Sequence, residues 1–306
     1  MFARLLRRRR RMLSERLSFT SFIRLGYELI LGREPDPRGF ADFQERLRSQ
    51  GMTRAEFRKA LLYSAEFQRV RRHPEAFAGV TYGLIALHES RTLMVRGLPK
   101  AEGILDLGGA CEGQPEGALV VMGYPYPFRS LTIVEPPAAE RHDLYKGACR
   151  DEVQTCLTPR GEVRYLFRSM ADLAPVASES VDLVFSGESI EHVTKEEAGR
   201  VFAEVRRVLK PGGSFCFDTP NRRVTRIQVG NRQFINADHK HEYMHPELME
   251  MLARCGFVVV EAKGLNWVPE SVHSGRFIEE ELITNAGMFD DIEECYLLYY
   301  RCRRGG

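Results

Sequence analysis

Two hydrophobic patterns divide the chain near residue 100. Between residues 17 and 73 the apolar positions recur at helical spacing, without strand-like alternation. Phe19, Phe22, Ile23, Tyr27 and Ile30 form the first of these stripes. Beyond residue 100, short apolar runs typical of strands alternate with helical segments. The strand-like runs lie at 103–107, 130–135, 162–167, 180–185, 213–217, 257–261 and 295–302.

Helix-capping residues support several of the predicted helices. Asp36 followed by proline marks a helix start, and Thr53 with Glu56 forms a capping-box pattern. Thr194 with Glu197 repeats that pattern in the second half of the chain. There the helix candidates lie at 115–122, 138–149, 195–209 and 246–255.

The alternation of strands and helices predicts an α/β fold with a doubly wound, mostly parallel sheet covered on both faces. We expect seven strands, preceded by a small all-α domain. The last two strands lack a helix pattern between them, so one of them should run antiparallel at the edge of the sheet. The predicted segments are a tail at 1–16, a helical module at 17–75, a connecting helix at 76–99 and the α/β domain at 100–306.

The net charge of +2 conceals a division between a basic tail and an acidic body. Residues 1–11 hold six arginines, Arg4 and Arg7 to Arg11, and no acid, whereas the rest of the chain has a net charge of −4. The tail fits three roles: an unordered solubilising segment, a contact with anionic lipid, or a contact with nucleic acid. Leucines between the arginines favour the membrane surface, and the acidic body argues against a nucleic-acid partner.

Cysteine usage and hydropathy bear on the cellular compartment. The seven cysteines contain no CxxC pair, and no apolar stretch approaches the roughly 18 residues of a membrane span. We therefore expect a reduced cytoplasmic protein that lies peripherally at the inner face of the membrane through its tail. The sequence leaves the oligomeric state open.

A glycine-rich turn follows the first predicted strand. The turn reads Asp106-Leu-Gly-Gly109, and Glu135 ends the next strand. Such a turn lets backbone amides approach a ligand, and a strand-end acid can accept hydrogen bonds from ribose hydroxyls. The segments DLGG, IVE, SVDLVFSGESIEHV and VLKPGGSFCFDTPN, in this order, resemble a class I S-adenosylmethionine-dependent methyltransferase with its Rossmann-like fold, over residues 100–303.

The resemblance implies a set of cofactor contacts. Asp106, Gly108 and Gly109 would hold the methionine end, Glu135 the ribose, and Ser169 with Met170 would border the adenine. The family usually has glycine where Ala110 and Glu112 stand, and many members have aspartate at the position of Ser169. We expect a reshaped loop that still binds the cofactor.

Two motifs place candidate metal-binding side chains near the same edge of the predicted sheet, where its parallel strands end. Glu188, Glu191 and His192 have the spacing that converges on one side of a helical turn, and paired carboxylates are costly unless they share a cation or a proton. The second motif, Asp238-His-Lys-His-Glu-Tyr243, follows the fifth strand. A glutamate–histidine pair such as Glu191-His192 in the first motif also often has a structural role instead of binding a metal.

The combination ExxEH…DHKHEY resembles the metal-dependent 2′-O-methyltransferases of small-RNA 3′ ends, and ExxEH also resembles the O-methyltransferases of ubiquinone biosynthesis. The resemblance implies that Glu188, Glu191, His192 and His239 bind a divalent ion. Manganese or magnesium is expected, with iron or zinc as alternatives. Glu188, His192 and His239 are the catalytic candidates, and without a metal either histidine would be the general base.

The acceptor is predicted from the surroundings of these motifs. Asn221, Arg222, His241 and Tyr243 are the candidate substrate contacts. The segment LGREPDPRGF, with SAEF after it, resembles a small bacterial helical domain often attached to enzymes of surface-polysaccharide assembly. We therefore predict metal-assisted O-methylation of a sugar in a surface polysaccharide or lipid-linked glycan. The alternatives are methylation of RNA 3′ ends, methylation of catechol-like small molecules, and a scaffold without enzymatic activity.

Overall fold

The computed structural model describes residues 18–31, 33–67, 82–111, 114–137, 140, 141 and 155–305. These residues form two compact units. One contains the described residues up to Met94 together with Gly264–Tyr296, and the other contains those of Val95–Lys263 and Leu297 onward. The arginine tail and most of the predicted helix 138–149 lie outside the described residues.

The first unit contains the predicted helical module. Its helices are α1 (Phe19–Gly26), a π-helical turn (Tyr27–Leu31), α2 (Pro37–Ser49), α3 (Arg54–Leu62) and the greater part of α4 (Tyr82–Arg96). The predicted stripe forms its core, where Phe22 and Phe57 pack with ring centroids 5.1 Å apart. Both predicted helix starts are confirmed, because Asp36 caps α2 and Thr53 forms the capping box of α3.

A buried ion pair ties α3 to α4 within this unit. The Arg58 guanidinium donates to the Glu89 carboxylate at 2.6 Å, and each side chain is only 2% exposed. The guanidinium also lies 4.9 Å from the centre of the Phe22 ring. A buried pair of this kind is costly to break, because removal of one partner leaves the other charge uncompensated.

The predicted α/β sheet is present, and most of its residues belong to the second unit. All seven predicted strands are present, and the described residues contain two more, so the strand number is nine rather than seven. The strands are β1 (Gly103–Leu107), β2 (Ser130–Glu135), β3 (Thr155–Thr158), β4 (Gly161–Phe167), β5 (Val181–Gly187), β6 (Leu209–Pro220), β7 (Phe257–Trp267), β8 (Met288–Phe289) and β9 (Cys295–Arg304). Their order is β3-β4-β2-β1-β5-β6-β9-β7-β8.

Five neighbouring strands are mutually parallel and determine where side chains can meet. Strands β4, β2, β1, β5 and β6 run in the same direction. Their carboxyl ends therefore lie along one edge of the sheet, and the loops that follow them share that edge. We call this edge the C-terminal rim. It carries the residues that end at or follow these strands, from Leu107, Glu135, Phe167, Gly187 and Pro220 onward.

Of the remaining helices in the described residues, three follow the sequence pattern closely and three lie where that pattern predicts no helix. These remaining helices are α5 (Ala118–Val121), α6 (Lys195–Val208), α7 (Arg222–Val229), α8 (His245–Arg254), α9 (Pro269–Ser274) and α10 (Glu279–Thr284). Helix α6 begins at the predicted Thr194–Glu197 capping box and packs Phe202 against Phe215 and Phe217 of β6. None of the helices in the described ranges has the length and apolar character of a membrane-spanning segment.

One of the last two predicted strands is antiparallel to its neighbour, as expected, but its predicted place at the edge of the sheet is wrong. Strand β9 runs antiparallel to β6, but it lies between β6 and β7 instead of at the edge. Its first six residues are all buried, and a continuously apolar strand needs neighbours on both sides. By contrast, β7 exposes Val258 and Val260. Two short helices, α9 and α10, precede β9 in a segment whose sequence pattern predicts no helix.

The capping box of α6 supplies a test of this part of the fold. Thr194→Ala should lower the free energy of unfolding by about 1 kcal/mol, since it removes the side-chain acceptor of the Glu197 N–H. Because Glu197 also accepts from the Thr194 backbone, the double variant with Glu197→Ala should lose less than the sum of the single variants. The free energies of unfolding of the wild type, the two single variants and the double variant are measured by urea unfolding, followed by circular dichroism. If the losses of the single variants add up to that of the double variant, reciprocal capping is contradicted.

Candidate active site

The turn after β1 is built for close approach of backbone to its surroundings. Gly108 adopts a φ of 79°, and a Cβ at this position would lie 2.6 Å from Ser189 Oγ. A Cβ at Gly109 would lie 2.0 Å from a carboxylate oxygen of Asp106. The predicted trio Asp106, Gly108 and Gly109 therefore forms one compact turn, and this turn lies directly beside the loop after β5.

The acid at the end of β2 is held towards this turn. Glu135 accepts a hydrogen bond from the Ala110 N–H at 2.7 Å. Burial raises the pKa of this carboxyl, and the Ala110 bond opposes that shift. Ala110, which stands where the resembling family has glycine, thus uses its amide to orient the acid. Glu112 lies outside the described residues.

The predicted adenine-bordering residues also lie at the C-terminal rim. The Arg168 N–H, directly after β4, donates to the Glu135 carbonyl at 2.7 Å. Ser169 is exposed and its hydroxyl accepts from the Ala171 N–H at 3.2 Å, whereas Met170 is largely buried. The serine therefore holds the local turn by bonding the backbone.

The first carboxylate motif follows β5. Glu188 adopts a left-handed φ of 49°, and its N–H donates to the Asp218 carbonyl at 2.9 Å. Glu191 lies on the 3₁₀ turn Ile190–His192 and is 1% exposed. Its Oε2 accepts from the Thr219 hydroxyl at 2.8 Å, and its buried Oε1 has no hydrogen-bond partner among the described residues. One oxygen of a buried carboxylate is thus left for a proton or a cation.

Backbone hydrogen bonds join the two motifs. The Glu191 carbonyl accepts from the N–H groups of Lys240 and His241, at 2.7 and 3.2 Å. The rings of His192 and His239 meet edge to face with centroids 4.9 Å apart. Side-chain donor atoms of Glu191, His192 and His239 all lie within 4.8 Å of one another. Three of the four predicted metal ligands are therefore brought together, while Glu188 is outside this group.

Burial shifts the pKa values of Glu191 and His192 towards their uncharged forms. The pKa of Glu191 is raised well above its usual range, by burial first and then by the nearby Glu188 carboxylate. The pKa of His192 is lowered to about 4, by burial first and then by His239. His192 is thus a neutral imidazole at neutral pH. Its lone pair is available to a metal ion, but it is a weak proton acceptor.

Glu242 is a site residue that the sequence interpretation missed. Its buried carboxylate accepts from His239 Nδ1 at 2.8 Å and from the Ile235 N–H at 2.9 Å, and the Thr225 hydroxyl donates to it as well. Burial alone would raise its pKa, but the bonds from His239, Thr225 and Ile235 lower it below the usual value. Its position three residues after His239, within DHKHEY, was the available signal.

The predicted substrate contacts fall into two groups. Asn221 and Tyr243 are buried, and Asn221 caps α7 by accepting from the Arg223 N–H at 3.1 Å. Arg222 and His241 are partly exposed at the rim. His241 Nε2 lies 2.9 Å from a Glu247 carboxylate oxygen, which fixes its ring. Substrate contact by any of these four residues stays a prediction.

Two protein families match parts of the chain. The family described as "Methyltransferase domain" matches residues 143–217, and a "Domain of unknown function (DUF4214)" matches residues 10–70. The first match runs from the segment before β3 into β6, and thus includes the loop that carries Glu188, Glu191 and His192.

Similar proteins carry methyltransferase names. A Mycolicibacterium smegmatis protein named "Probable S-adenosylmethionine-dependent methyltransferase" is 36% identical over 107 residues, which are 35% of this chain and 39% of that protein. The structure of an S-adenosylmethionine-dependent methyltransferase from Mesorhizobium loti covers 69% of this chain and 96% of its own, with 19% identity and a TM-score of 0.42. The structure of the small RNA methyltransferase HEN1 covers 71% of this chain and 25% of its own chain, with 16% identity and a TM-score of 0.46.

The M. smegmatis relative is matched over less than half of its length. The family match and the Rossmann-like architecture of the sheet support a domain of the S-adenosylmethionine-dependent methyltransferase class. This class agrees with the turn after β1 and with the acid at the end of β2.

The left-handed backbone of Glu188 yields a stability test. Such a conformation costs a residue with a Cβ roughly 1–2 kcal/mol, whereas glycine adopts it freely. Glu188→Ala and Glu188→Gly both remove the carboxylate, but only the glycine relieves the strain. We expect the glycine variant to be more stable than the alanine variant by about 1 kcal/mol in chemical denaturation. Equal stabilities would show that the backbone at this position is not strained.

Proposed function

We propose that this protein transfers a methyl group from S-adenosylmethionine to a hydroxyl oxygen, assisted by a divalent ion that Glu191, His192 and His239 bind together with Glu188. The observation that carries the proposal is the unpartnered Oε1 of the buried Glu191, which lies beside two imidazoles in the described part of the rim. The turn after β1 contacts the same loop through Gly108 and Ser189. Cofactor and ion would therefore be neighbours.

The residues present fit a divalent ion better than a metal-free mechanism. A buried carboxylate needs a proton or a cation, and the neutral His192 offers a lone pair. Because a pKa of about 4 makes His192 a poor base at neutral pH, this histidine suits the role of ligand better than that of general base. Manganese or magnesium fits the carboxylates, and the imidazoles also allow iron or zinc.

The chain's own residues would hold the cofactor and orient the reaction. Glu135 would accept hydrogen bonds from the ribose hydroxyls, and the turn at Gly108 would admit the methionine end. The acceptor oxygen forms a bond to the methyl carbon while the carbon–sulfur bond breaks, and the sulfur keeps the electron pair. When bound, the ion would lower the pKa of the acceptor hydroxyl, so that its proton leaves to water.

We further propose a sugar hydroxyl of a surface polysaccharide or lipid-linked glycan as the acceptor. The resemblance of the N-terminal module to domains attached to polysaccharide enzymes supports this choice. Charge supports it too: residues 221–240, which follow β6 at the C-terminal rim, contain five basic residues and one acid. The basic residues are Arg222, Arg223, Arg226, Arg232 and Lys240. A phosphate-linked glycan would complement this segment.

The 3′ end of an RNA is the second candidate acceptor. The basic segment at 221–240 would also complement an RNA backbone, and the ExxEH…DHKHEY pattern resembles enzymes with that substrate. The net charge of −4 outside the arginine tail favours the glycan, because RNA-binding domains usually carry a basic excess. A cytoplasmic location with the arginine tail at the membrane surface belongs to the same proposal.

Mass spectrometry of the host's glycans tests this function. Deletion of the gene should remove one methyl group per modified sugar, and the wild-type gene should restore it. Glu191→Gln and His239→Ala should not restore it, because each removes a ligand of the ion. Restoration by both variants would contradict metal assistance. Unchanged glycans, with 3′ ends of host RNA that become sensitive to periodate after deletion, would identify RNA as the acceptor instead.

Cofactor binding has a separate test that needs no acceptor. Glu135→Ala should weaken S-adenosylmethionine binding at least about tenfold in calorimetry, since a charged hydrogen-bond acceptor contributes roughly 1.5–3 kcal/mol. Glu162→Ala, which removes a partly exposed glutamate of β4 that pairs with Arg164, is the matched control and should bind normally. Equal affinity of the two variants would show that Glu135 does not contact the cofactor.

A further inference from the structure

Glu242 accepts hydrogen bonds from several groups next to the candidate ion site. The residue is 2% exposed, and both carboxylate oxygens are used. Oε1 accepts from His239 Nδ1 and from the Ile235 N–H, and Oε2 accepts from Thr225 and, at 3.4 Å, from Arg222 Nη1. Two of these donors, Thr225 and Arg222, lie on α7, so the carboxylate joins that helix to the DHKHEY loop.

A carboxylate in this position restricts the chemistry of the histidine. A charged carboxylate only accepts hydrogen bonds, so the proton of a neutral His239 must reside on Nδ1. Nε2 then carries the lone pair and is the ring atom available to an ion. Carboxylates that hold a metal-binding histidine in this way fix both its tautomer and its ring orientation.

Arg222 belongs to the same arrangement. Its guanidinium lies 5.2 Å from the centre of the Phe234 ring and contacts Glu242, which restricts its movement. The arginine balances the charge of Glu242, so that the pair adds no net negative charge behind the ion. This contact gives Arg222 a role in support of the site.

We propose that Glu242 is a positioning residue that holds His239 with Nε2 presented to the divalent ion, while Thr225, the Ile235 N–H and Arg222 hold Glu242 in place. This inference rests on the proposed function, since it assigns the support of the same metal site. Glu242 itself is not expected to touch the ion.

Glu242→Gln tests the proposal with little change in volume. A glutamine amide can donate to Nδ1 as well as accept from it, so His239 is no longer confined to one tautomer. We expect Mn²⁺ to bind about 10–100-fold more weakly in a titration that follows free Mn²⁺ by electron paramagnetic resonance. ¹⁵N NMR of histidine-labelled protein should show the Nδ1–H form of His239 in the wild type and a mixture of tautomers in the variant.

Two further variants separate positioning from general destabilisation. Glu89→Gln alters a carboxylate that is equally buried and also paired with an arginine, but lies in the other compact unit, and should bind Mn²⁺ normally. Thr225→Val removes one donor to Glu242 and keeps the carboxylate, so a loss of a few fold is expected. This milder variant serves if Glu242→Gln does not fold.

The outcomes distinguish this inference from the proposed function. If the wild-type protein binds S-adenosylmethionine but no Mn²⁺, the metal-assisted function fails and the inference falls with it. If the wild type binds Mn²⁺ and both Glu242→Gln and Thr225→Val bind it equally well, the function stands and the positioning role is wrong. An equal loss in Glu89→Gln would also overturn positioning, because the effect would then be one of stability alone.

Discussion

The buried carboxylate of Glu191 is the constraint on which the candidate site depends. The backbone carbonyl of Glu191 accepts hydrogen bonds from the N–H groups of Lys240 and His241, and these bonds join the loop after β6 to the turn after β5. Its side chain bonds Thr219 with one oxygen and leaves the other without a hydrogen-bond partner within the described residues. A charged group in that state costs several kcal/mol unless a counter-charge is present. Glu191 therefore joins the two loops through its backbone, and its buried carboxylate requires a proton or a cation.

The parallel sheet makes this arrangement possible. Strands β1, β2, β5 and β6 run in one direction, so the glycine turn, the acid Glu135 and the two candidate metal-binding motifs reach the same rim although they are far apart in sequence. The insertion of β9 between β6 and β7 gives β6 a neighbour on each side, which keeps its position fixed. Strand β6 contributes Thr219, and α7 and the DHKHEY loop follow it. Strand β6 thus carries the hydrogen-bond partner of Glu191 and leads into the elements that contact His239 and Glu242.

The sequence predicts the class of the fold, and the structure brings together three of the four candidate metal-binding residues; what the sequence does not predict has physical causes. The strands, the capping boxes and the pairing of Glu191 with His192 on one turn follow from local period and spacing, whereas His239 is a candidate ligand only through the resemblance of its motif. The place of β9 depends on which strand edges remain free after folding, and local pattern does not encode that. The position of Glu242 three residues after His239 is visible in the sequence, but its supporting role depends on Thr225, Ile235 and Arg222, which become its neighbours only in the folded chain.

The electrostatic environment of Glu191 and His192 favours the role of metal ligand over that of general base. Burial raises the pKa of Glu191 and lowers the pKa of His192, and both shifts favour the neutral form of the side chain. A cation bound at Glu191 would take the place of its proton. A general base needs the opposite property, which is a proton affinity matched to neutral pH. His192 lacks that affinity, whereas a neutral imidazole beside a carboxylate that exchanges its proton for a cation is the composition of a metal site. The same burial that weakens His192 as a base therefore makes the cluster suited to hold a divalent ion.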